Sequence, residues 1–280
     1  MKIGLIDVGG GLRGIYSAGV LDYCLDKKIE FDVCIGISAG SANIITYLAK
    51  QRGRNYKFYT EYSKRTEYMS IKNYVKTGSF INMEYVYHTL SGQNGESPFD
   101  YNEFSKGTNE FIVVATNAMT GEPTYFNRGD IALEHYEALA ASCSLPGVNN
   151  PYPVNNVLYF DGGLSDPVPV KKAFDMGCDK VVLILSKPSL SALRQNPTEL
   201  LIAKYIKNKY PASSKRLEDR INHYNESVAL AKKYRDIGRL LILSPDNIDG
   251  VSTLSRRGNS LDKLYEMGYK DGEKLLNWLK

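Results

Sequence analysis

The chain has 280 residues, of which 43% are hydrophobic and 24% charged, and its formal net charge is +4. This composition can bury a large core and argues against an intrinsically disordered chain. A charge excess this small does not indicate a nucleic-acid-binding protein, although it is compatible with an anionic membrane surface.

The cysteine spacing and the N-terminal sequence bear on disulfides, metal sites and the cellular location of the protein. The four cysteines are widely spaced and include no C-x-x-C pair, so we expect no metal site, no disulfide framework and no cofactor held by cysteine. The first residues enter an apolar strand without a signal-peptide pattern, and no apolar run reaches the roughly 18 residues that a membrane-spanning helix needs. These features predict a cytoplasmic protein.

The first predicted element is a buried strand over residues 2–8, which ends in a glycine-rich loop, GGGLRG, at residues 9–14. The pattern G-x-G-x-x-G after a strand resembles a dinucleotide-binding fingerprint, but no acidic residue ends a second strand about 20 residues later. Two other interpretations are open: an oxyanion hole built from the amides of Gly9, Gly10 and Gly11, or a simple strand-to-helix turn.

A serine between two glycines follows the next strand. Apolar spacing predicts a helix over 15–27 and a parallel strand over 32–37, which together with the first strand form a right-handed βαβ unit. Ser38 then lies between Gly36 and Gly40, and a helix follows. This G-x-S-x-G context is typical of a nucleophile elbow, in which a Cβ at either flanking position would clash with a neighbouring element.

The middle of the chain is less regular. A helix is predicted over 43–52, and the tyrosine-rich residues 55–101 either shape a substrate pocket or lid or form a helical layer over the sheet. Residues 111–116 and 124–126 predict a hairpin, and 131–142 a helix.

A carboxylate stands at the end of another apolar strand. Residues 157–160 predict that strand, and Asp161, Gly162 and Gly163 follow it directly. An Asp-Gly hairpin turn is the alternative interpretation. A helix over 170–177 and a buried strand over 180–185 come next.

The C-terminal third is basic and helical. Residues 187–240 carry many lysines and arginines at helical spacing, which indicates a solvated helix face or, less commonly, contact with an anionic membrane. A strand over 240–245 and an amphipathic helix over 260–279 end the chain. We therefore expect a principal domain at 1–186 and a helical extension at 187–280 packed on it.

A serine nucleophile needs a base, and the histidines are poorly placed to supply it. His88, His135 and His223 do not follow predicted strands, where an α/β-hydrolase triad histidine belongs. Asp161 is the remaining candidate, since a carboxylate in a dry pocket can accept the serine proton.

The three motifs GGGLRG, GISAG and Asp161-Gly162-Gly163, in this order and spacing, resemble those of bacterial patatin-like phospholipases. The resemblance covers about residues 1–186. It implies a three-layer αβα fold with a mainly parallel central sheet and a C-terminal helical extension, and lipid acyl-ester hydrolysis without metal or other cofactor. By position, Ser38 is the nucleophile and Asp161 the proton acceptor.

The resemblance also assigns the residues around this dyad. Gly9, Gly10 and Gly11 form the oxyanion hole. The supporting residues on the three motifs are Arg13, which is expected to brace the glycine loop, and Gly14, Gly36, Gly40, Gly162 and Gly163.

Three rival functions stay open at this point. They are a Ser-His-Asp esterase, a non-catalytic or regulatory lipid-binding protein that retains the fold, and a nucleotide-binding protein that uses the glycine loop. The expected partners are a lipid acyl-ester substrate and, transiently, an anionic membrane surface; no nucleic acid is expected, and the oligomeric state is left open.

Overall fold

A central β-sheet organises the computed structural model, which describes residues 1–188 and 196–279. The strands are β1 (Ile3–Asp7), β2 (Val33–Ile37), β3 (Glu110–Asn117), β4 (Pro123–Asn127), β5 (Tyr152–Val154), β6 (Val157–Asp161), β7 (Lys180–Ile184) and β8 (Leu240–Leu243). Pairing runs β5-β6-β3-β2-β1-β7-β8, and β4 also pairs with β3.

The centre of the sheet is parallel. β1, β2, β3, β7 and β8 pair in parallel, whereas β4, β5 and β6 are antiparallel additions at β3. The central strands read as nearly continuous Val, Ile and Leu runs because both faces of a parallel sheet are covered. The predicted mainly parallel sheet and the hairpin of β3 with β4 are confirmed.

Helices supply the covering layers. In the described residues they are α1 (Ile15–Asp26), α2 (Ala39–Leu48), α3 (Arg54–Thr60), α4 (Ile71–Thr77), α5 (Tyr101–Lys106), α6 (Glu137–Ser142), α7 (Val170–Asp175), α8 (Pro197–Ile206), α9 (Pro211–Asp236), α10 (Ser260–Asp271) and α11 (Glu273–Leu279). A π-helical turn spans Tyr85–Leu90.

The strands send alternate side chains to two separate cores. Leu5 of β1 joins a cluster that contains residues of α1, α2 and α10. Its neighbour Ile6 joins a second cluster with residues of α7 and α9. Successive side chains of a strand point to opposite faces, so the two clusters lie on opposite sides of the sheet. The result is the expected three-layer αβα arrangement.

The C-terminal helices pack on the same body as the sheet. α10 crosses α1 at Gly19 and Gly268, where a Cβ would overlap the backbone oxygens of Tyr265 and Tyr16 respectively. A third core cluster joins Phe160 of β6 to residues of α8 and α9. The division at residues 186 and 187 stays a prediction, and residues 189–195 of the predicted basic region lie outside the described residues.

Three predicted helices are wrong in extent. The helix expected over 43–52 runs instead over Ala39–Leu48, because it begins directly after the turn at Ser38. The helix expected over 131–142 begins only at Glu137, because residues 132 and 135 form a β-bridge that commits the preceding backbone to a turn. The single helix expected over 260–279 is interrupted at Gly272, which lies against the ring of Tyr23 where a Cβ would not fit. Apolar spacing is insensitive to such local breaks.

Among residues 1–188 and 196–279, no helix combines the length and the apolar character needed to span a bilayer.

Candidate active site

Ser38 occupies a strained turn between β2 and α2. Its φ of 54° and ψ of −134° lie in a region that L-residues rarely adopt. A Cβ at Gly36 would overlap the backbone of Ser41, and one at Gly40 would overlap the backbone oxygen of Asp7. Both flanking positions therefore admit only glycine, and the serine stands at the N-terminus of α2, where the helix dipole favours negative charge.

Ser142, at the end of α6, holds this turn in place. Its hydroxyl oxygen accepts a hydrogen bond from the Ser38 amide at 2.8 Å and donates its own proton to the Val114 carbonyl at 2.7 Å. Ser41 donates to the Ser38 carbonyl at 2.6 Å. The strained peptide units on both sides of Ser38 are thus satisfied by neighbouring serines.

The register on β3 brings Asp161 to Ser38. Ile37 pairs with Val114 and Asp161 pairs with Ala115, while β4 occupies the other edge of β3 along this stretch. β2 and β6 therefore share one edge of β3, with β2 ending where β6 arrives from the opposite direction. The two chain ends meet about one residue apart, roughly 3.4 Å along the strand direction, and Ser38 follows directly.

Asp161 is buried, with 5% of its surface exposed. One carboxylate oxygen accepts a hydrogen bond from the Gly163 amide at 2.8 Å. Burial raises the pKa of Asp161, while the Ser38 hydroxyl, the Gly163 amide and the charge of Arg220 oppose that rise. A carboxylate that is short of solvent and in reach of a hydroxyl is a stronger base than one in water.

The glycine loop packs directly on the serine turn. A Cβ at Gly9 would overlap the Ile37 oxygen and crowd the Gly40 amide, so this contact needs glycine. The Gly9 amide donates to the Asp7 carboxylate at 2.9 Å and is therefore engaged. The amides of Gly10 and Gly11, both at positive φ, have no hydrogen-bond partner in the described part of the chain. These two amides are the free donors of the loop.

The other supporting glycines mark close approaches. A Cβ at Gly14 would meet the Tyr59 hydroxyl, and one at Gly162 would overlap the Val114 oxygen. Gly163 lies close to Ile37 and to Arg220. The loop after Asp161 can therefore lie against the strand end that carries Ser38.

Arg13 lies beside Gly10, but its guanidinium makes no hydrogen bond or ion pair with the residues that the structure describes. Burial and the nearby charge of Arg220 lower the pKa of Arg13 to about 10. Its contact with the glycine loop is packing alone. The expected bracing role has no polar contact to support it and stays a prediction.

The C-terminal region supplies contacts that sequence reasoning missed. The Leu12 amide donates to the Thr253 carbonyl at 2.9 Å, and Thr253 also lines the cavity in front of Ser38. Arg220 of α9 donates to the Gly163 carbonyl at 2.9 Å and to the Glu199 carboxylate at 2.7 Å. Arg220 was visible only as one charge in a basic run, and Thr253 carried no local signal.

An apolar cavity of about 120 Å³ extends from Ser38 and Asp161. Much of its wall comes from the tyrosine-rich segment, including Phe58, Tyr59, Met83, Val86, Tyr87 and Phe99. Both interpretations of that segment hold, because residues such as Tyr59 and Phe99 line the cavity and also belong to the core cluster on this face of the sheet. An apolar cavity with a few polar groups at one end is the usual form of a small-molecule or lipid site.

No histidine of the described residues lines this cavity. His135 contacts Glu137 at 3.2 Å, and His88 lies 3.7 Å from Glu84. No hydrogen bond joins His223 to Ser38 or to Asp161 in the described part of the chain. A histidine base for Ser38 has no structural support.

The site combines a strained serine at a strand end, a glycine loop and a buried carboxylate, and all three face an apolar cavity. These features define an α/β protein with a nucleophile elbow and a pocket suited to a small molecule or a lipid. A family model described as patatin-like phospholipase matches residues 8–174. The chain therefore belongs to the patatin-like phospholipase family. A second family model, a domain of unknown function (DUF6363), matches residues 210–280.

Individual relatives share parts of this sequence. The uncharacterised protein YjjU of Escherichia coli is 28% identical over 190 residues, which cover 67% of this chain and 53% of YjjU. The lysophospholipase nte1 of Aspergillus fumigatus is 23% identical over an alignment that covers 99% of this chain and 18% of that protein. The chain thus spans about half the length of the first relative and about a fifth of the second.

A crystal structure of VipD from Legionella pneumophila aligns with 99% of this chain and 67% of its own, with a TM-score of 0.49 and 14% sequence identity.

Proposed function

We propose that this protein is a lipid acyl hydrolase that cleaves carboxylic esters, of the phospholipase A or lysophospholipase type, with Ser38 as nucleophile and Asp161 as proton acceptor. The observation that carries the proposal is the shared edge of β3, which places the end of β6 against the end of β2. The family membership and the apolar cavity support a fatty acyl substrate.

The reaction proceeds through an acyl-enzyme. Ser38 Oγ attacks the ester carbonyl carbon while Asp161 takes the hydroxyl proton, and the carbonyl oxygen becomes an oxyanion. Asp161 then returns the proton to the alcohol oxygen as the C–O bond breaks. Water, deprotonated by Asp161, attacks the acyl-serine, and the fatty acid leaves as Ser38 recovers its proton.

The oxyanion is stabilised by the free amides of Gly10 and Gly11 and by the N-terminus of α2. Both donors belong to backbone that is already ordered, so little reorganisation accompanies charge development. Gly9, whose amide is bonded to Asp7, shapes the loop and does not donate. This narrows the expected oxyanion hole from three glycines to two.

An anionic membrane surface fits the exposed face of α8. Leu200, Leu201 and Tyr205 are 42%, 69% and 80% exposed, and Lys204 lies among them. Apolar side chains next to lysine are the composition of an interfacial helix. Glu199, on the opposite side of the same helix, is paired with Arg220, which binds the Gly163 carbonyl beside Asp161, so α8 lies next to the candidate site with its apolar face turned outward.

The catalytic test compares Ser38→Ala and Asp161→Asn with wild type on a lysophospholipid and on 4-nitrophenyl esters of rising chain length. Both variants should lose at least about 10³-fold in kcat, and fluorophosphonate labelling should disappear in Ser38→Ala. Asp166→Asn is the matched control, because that half-buried carboxylate accepts a hydrogen bond from Tyr125 and does not line the cavity. An Asp161→Asn enzyme with full activity would refute the dyad.

The same assays address the rival functions. Loss of activity on replacing one histidine by alanine would favour a Ser-His-Asp esterase. Lipid binding without turnover or labelling would favour a regulatory protein, and NAD or ATP binding in calorimetry a nucleotide-binding one.

Membrane contact is tested by sedimentation with vesicles of phosphatidylcholine, with and without phosphatidylglycerol. Leu201→Gln should reduce binding to the anionic vesicles. Ile237→Gln should not, because this residue, 66% exposed, follows α9 at the opposite end of the sheet. Equal binding of both variants would contradict the proposal that the exposed face of α8 contacts the membrane.

A further inference from the structure

Arg54 opens α3 and lines the same cavity as Ser38. Its guanidinium donates to the Thr46 hydroxyl at 3.2 Å, to the Ser91 hydroxyl at 2.8 Å and to the Ser97 carbonyl at 2.9 Å. All three acceptors are neutral. Among residues 1–188 and 196–279, no carboxylate lies within 4.0 Å of this cation.

The surroundings of Arg54 are aromatic and poor in water. The guanidinium carbon lies 4.6 Å from the centre of the Phe58 ring and 6.0 Å from that of Phe99. The Nε atom is buried without a hydrogen-bond partner among the described residues. Burial lowers the pKa of Arg54 to about 10, so the group stays charged at neutral pH. A buried cation with an unused donor attracts an anion.

Other arginines show that this arrangement is unusual for the chain. Arg52, Arg65 and Arg216 each pair with a carboxylate within 2.7 Å. Arg128 binds two carbonyl groups and a ring, so its partners are neutral like those of Arg54, but it does not line the cavity. A purely structural role for Arg54 would resemble that of Arg128. The position on the cavity wall is what distinguishes Arg54.

The length of α2 gives the approximate distance from Arg54 to Ser38. Thr46, which accepts from Arg54, follows Ser38 by eight positions along this helix. At about 1.5 Å per residue the separation is about 12 Å. An extended alkyl chain advances about 1.25 Å per bond, as follows from C–C bonds of about 1.5 Å, so the span matches about ten bonds.

We propose that Arg54 is the distal end of the acyl-binding site and that the preferred acyl group is a medium chain with a terminal carboxylate about ten carbons from the cleaved ester. The proposal rests on the proposed function and adds the class of acyl chain to it. A carboxylate at this depth supplies the counter-charge that the neutral neighbours of Arg54 lack, and its contact with the guanidinium is charge-assisted. A plain alkyl chain leaves the cation unpaired.

The experiment compares mono-4-nitrophenyl decanedioate with 4-nitrophenyl decanoate at pH 7.5. Wild type should show a kcat/KM at least about tenfold higher for the decanedioate, mainly through KM, because the contact is far from the reacting carbon. Arg54→Met should remove this preference and Arg54→Lys should keep part of it. Arg52→Met is the matched control, since this neighbouring arginine is exposed and pairs with Asp26.

A preference of wild type for the decanoate ester, or a decanedioate preference that survives in Arg54→Met, would overturn the proposal and leave the hydrolase function intact. Calorimetry of decanedioate and decanoate with the Ser38→Ala protein tests the carboxylate subsite without turnover. This measurement does not need Arg54→Met, so it also serves if that variant does not fold. Tighter binding of decanedioate supports the carboxylate subsite, and equal or weaker binding refutes it. If wild type cleaves neither ester, the proposed function fails while this binding result still tests Arg54.

Discussion

The hydrogen bond from the Ser38 amide to Ser142 provides a sharp test of how Ser38, the proposed nucleophile, is held. Ser142→Ala removes the acceptor and leaves the Ser38 amide, in a strained turn, without its 2.8 Å partner. An unsatisfied donor in a partly buried site costs about 1–2 kcal/mol of unfolding free energy. For a domain of this size that lowers Tm by about 2–8 °C.

The effect on catalysis should exceed the effect on stability. Relaxation of the turn by even a fraction of an ångström moves Ser38 Oγ away from Asp161 and the oxyanion donors, and misplacement of about 1 Å can cost about 10²-fold. We therefore expect kcat to fall about 10- to 100-fold with little change in KM. Thermal unfolding and steady-state ester hydrolysis measure the two effects separately.

Ser144→Ala is the matched control. Ser144 is equally buried, but its hydroxyl donates only to the Ala140 carbonyl in its own helical turn at 2.9 Å. This variant should keep wild-type kcat. If Ser142→Ala retains the same activity as Ser144→Ala, the turn does not depend on this hydrogen bond and the reasoning fails.

Three further predictions concern charge and packing. Arg220→Met should move the acid limb of the kcat/KM profile to higher pH, because the charge of Arg220 lowers the pKa of Asp161. Burial raises the pKa of Asp7 from 3.8 to about 6, so its contribution to stability is complete below pH 3.8 and is lost as pH rises through about 6. Asp7→Asn should therefore remove about 2.4 kcal/mol of the stability difference between pH 4 and pH 7 in urea unfolding, at about 1.4 kcal/mol per pKa unit. Gly268→Ala should destabilise by about 1–3 kcal/mol, since its Cβ would force α10 away from α1.

The Arg220 and Gly268 predictions each have a control variant. Arg216→Met removes a nearby arginine that binds Gly121 and Glu122, and should leave the acid limb in place. Glu266→Ala changes an exposed position of α10 and should alter stability by less than about 0.5 kcal/mol. Equal pH slopes of unfolding in wild type and Asp7→Asn would contradict the raised pKa of Asp7.

Local motifs of this chain were predictable because their signals are local. The glycines around Ser38 and in the loop after β1 are needed for positive φ or for close backbone approach, and such positions are visible as residue types. The parallel strands are apolar runs bounded by turn residues, and they were placed to within a residue or two. The start of the helix at Glu137 was not predicted, because the β-bridge between Ala132 and His135 before it depends on tertiary contacts and not on apolar spacing.

The amino-acid sequence by itself determined the pieces of the site: a strained serine, a glycine loop and a carboxylate at a strand end. Only the tertiary structure decided that β6 takes over the edge of β3 where β2 stops, which sets Asp161 against Ser38 across more than a hundred residues of chain. It also decided that Ser142 and Arg220 support them and that Arg54 faces the cavity. Strand register and helix packing arise from the sum of many distant contacts, and no short stretch of sequence encodes that sum.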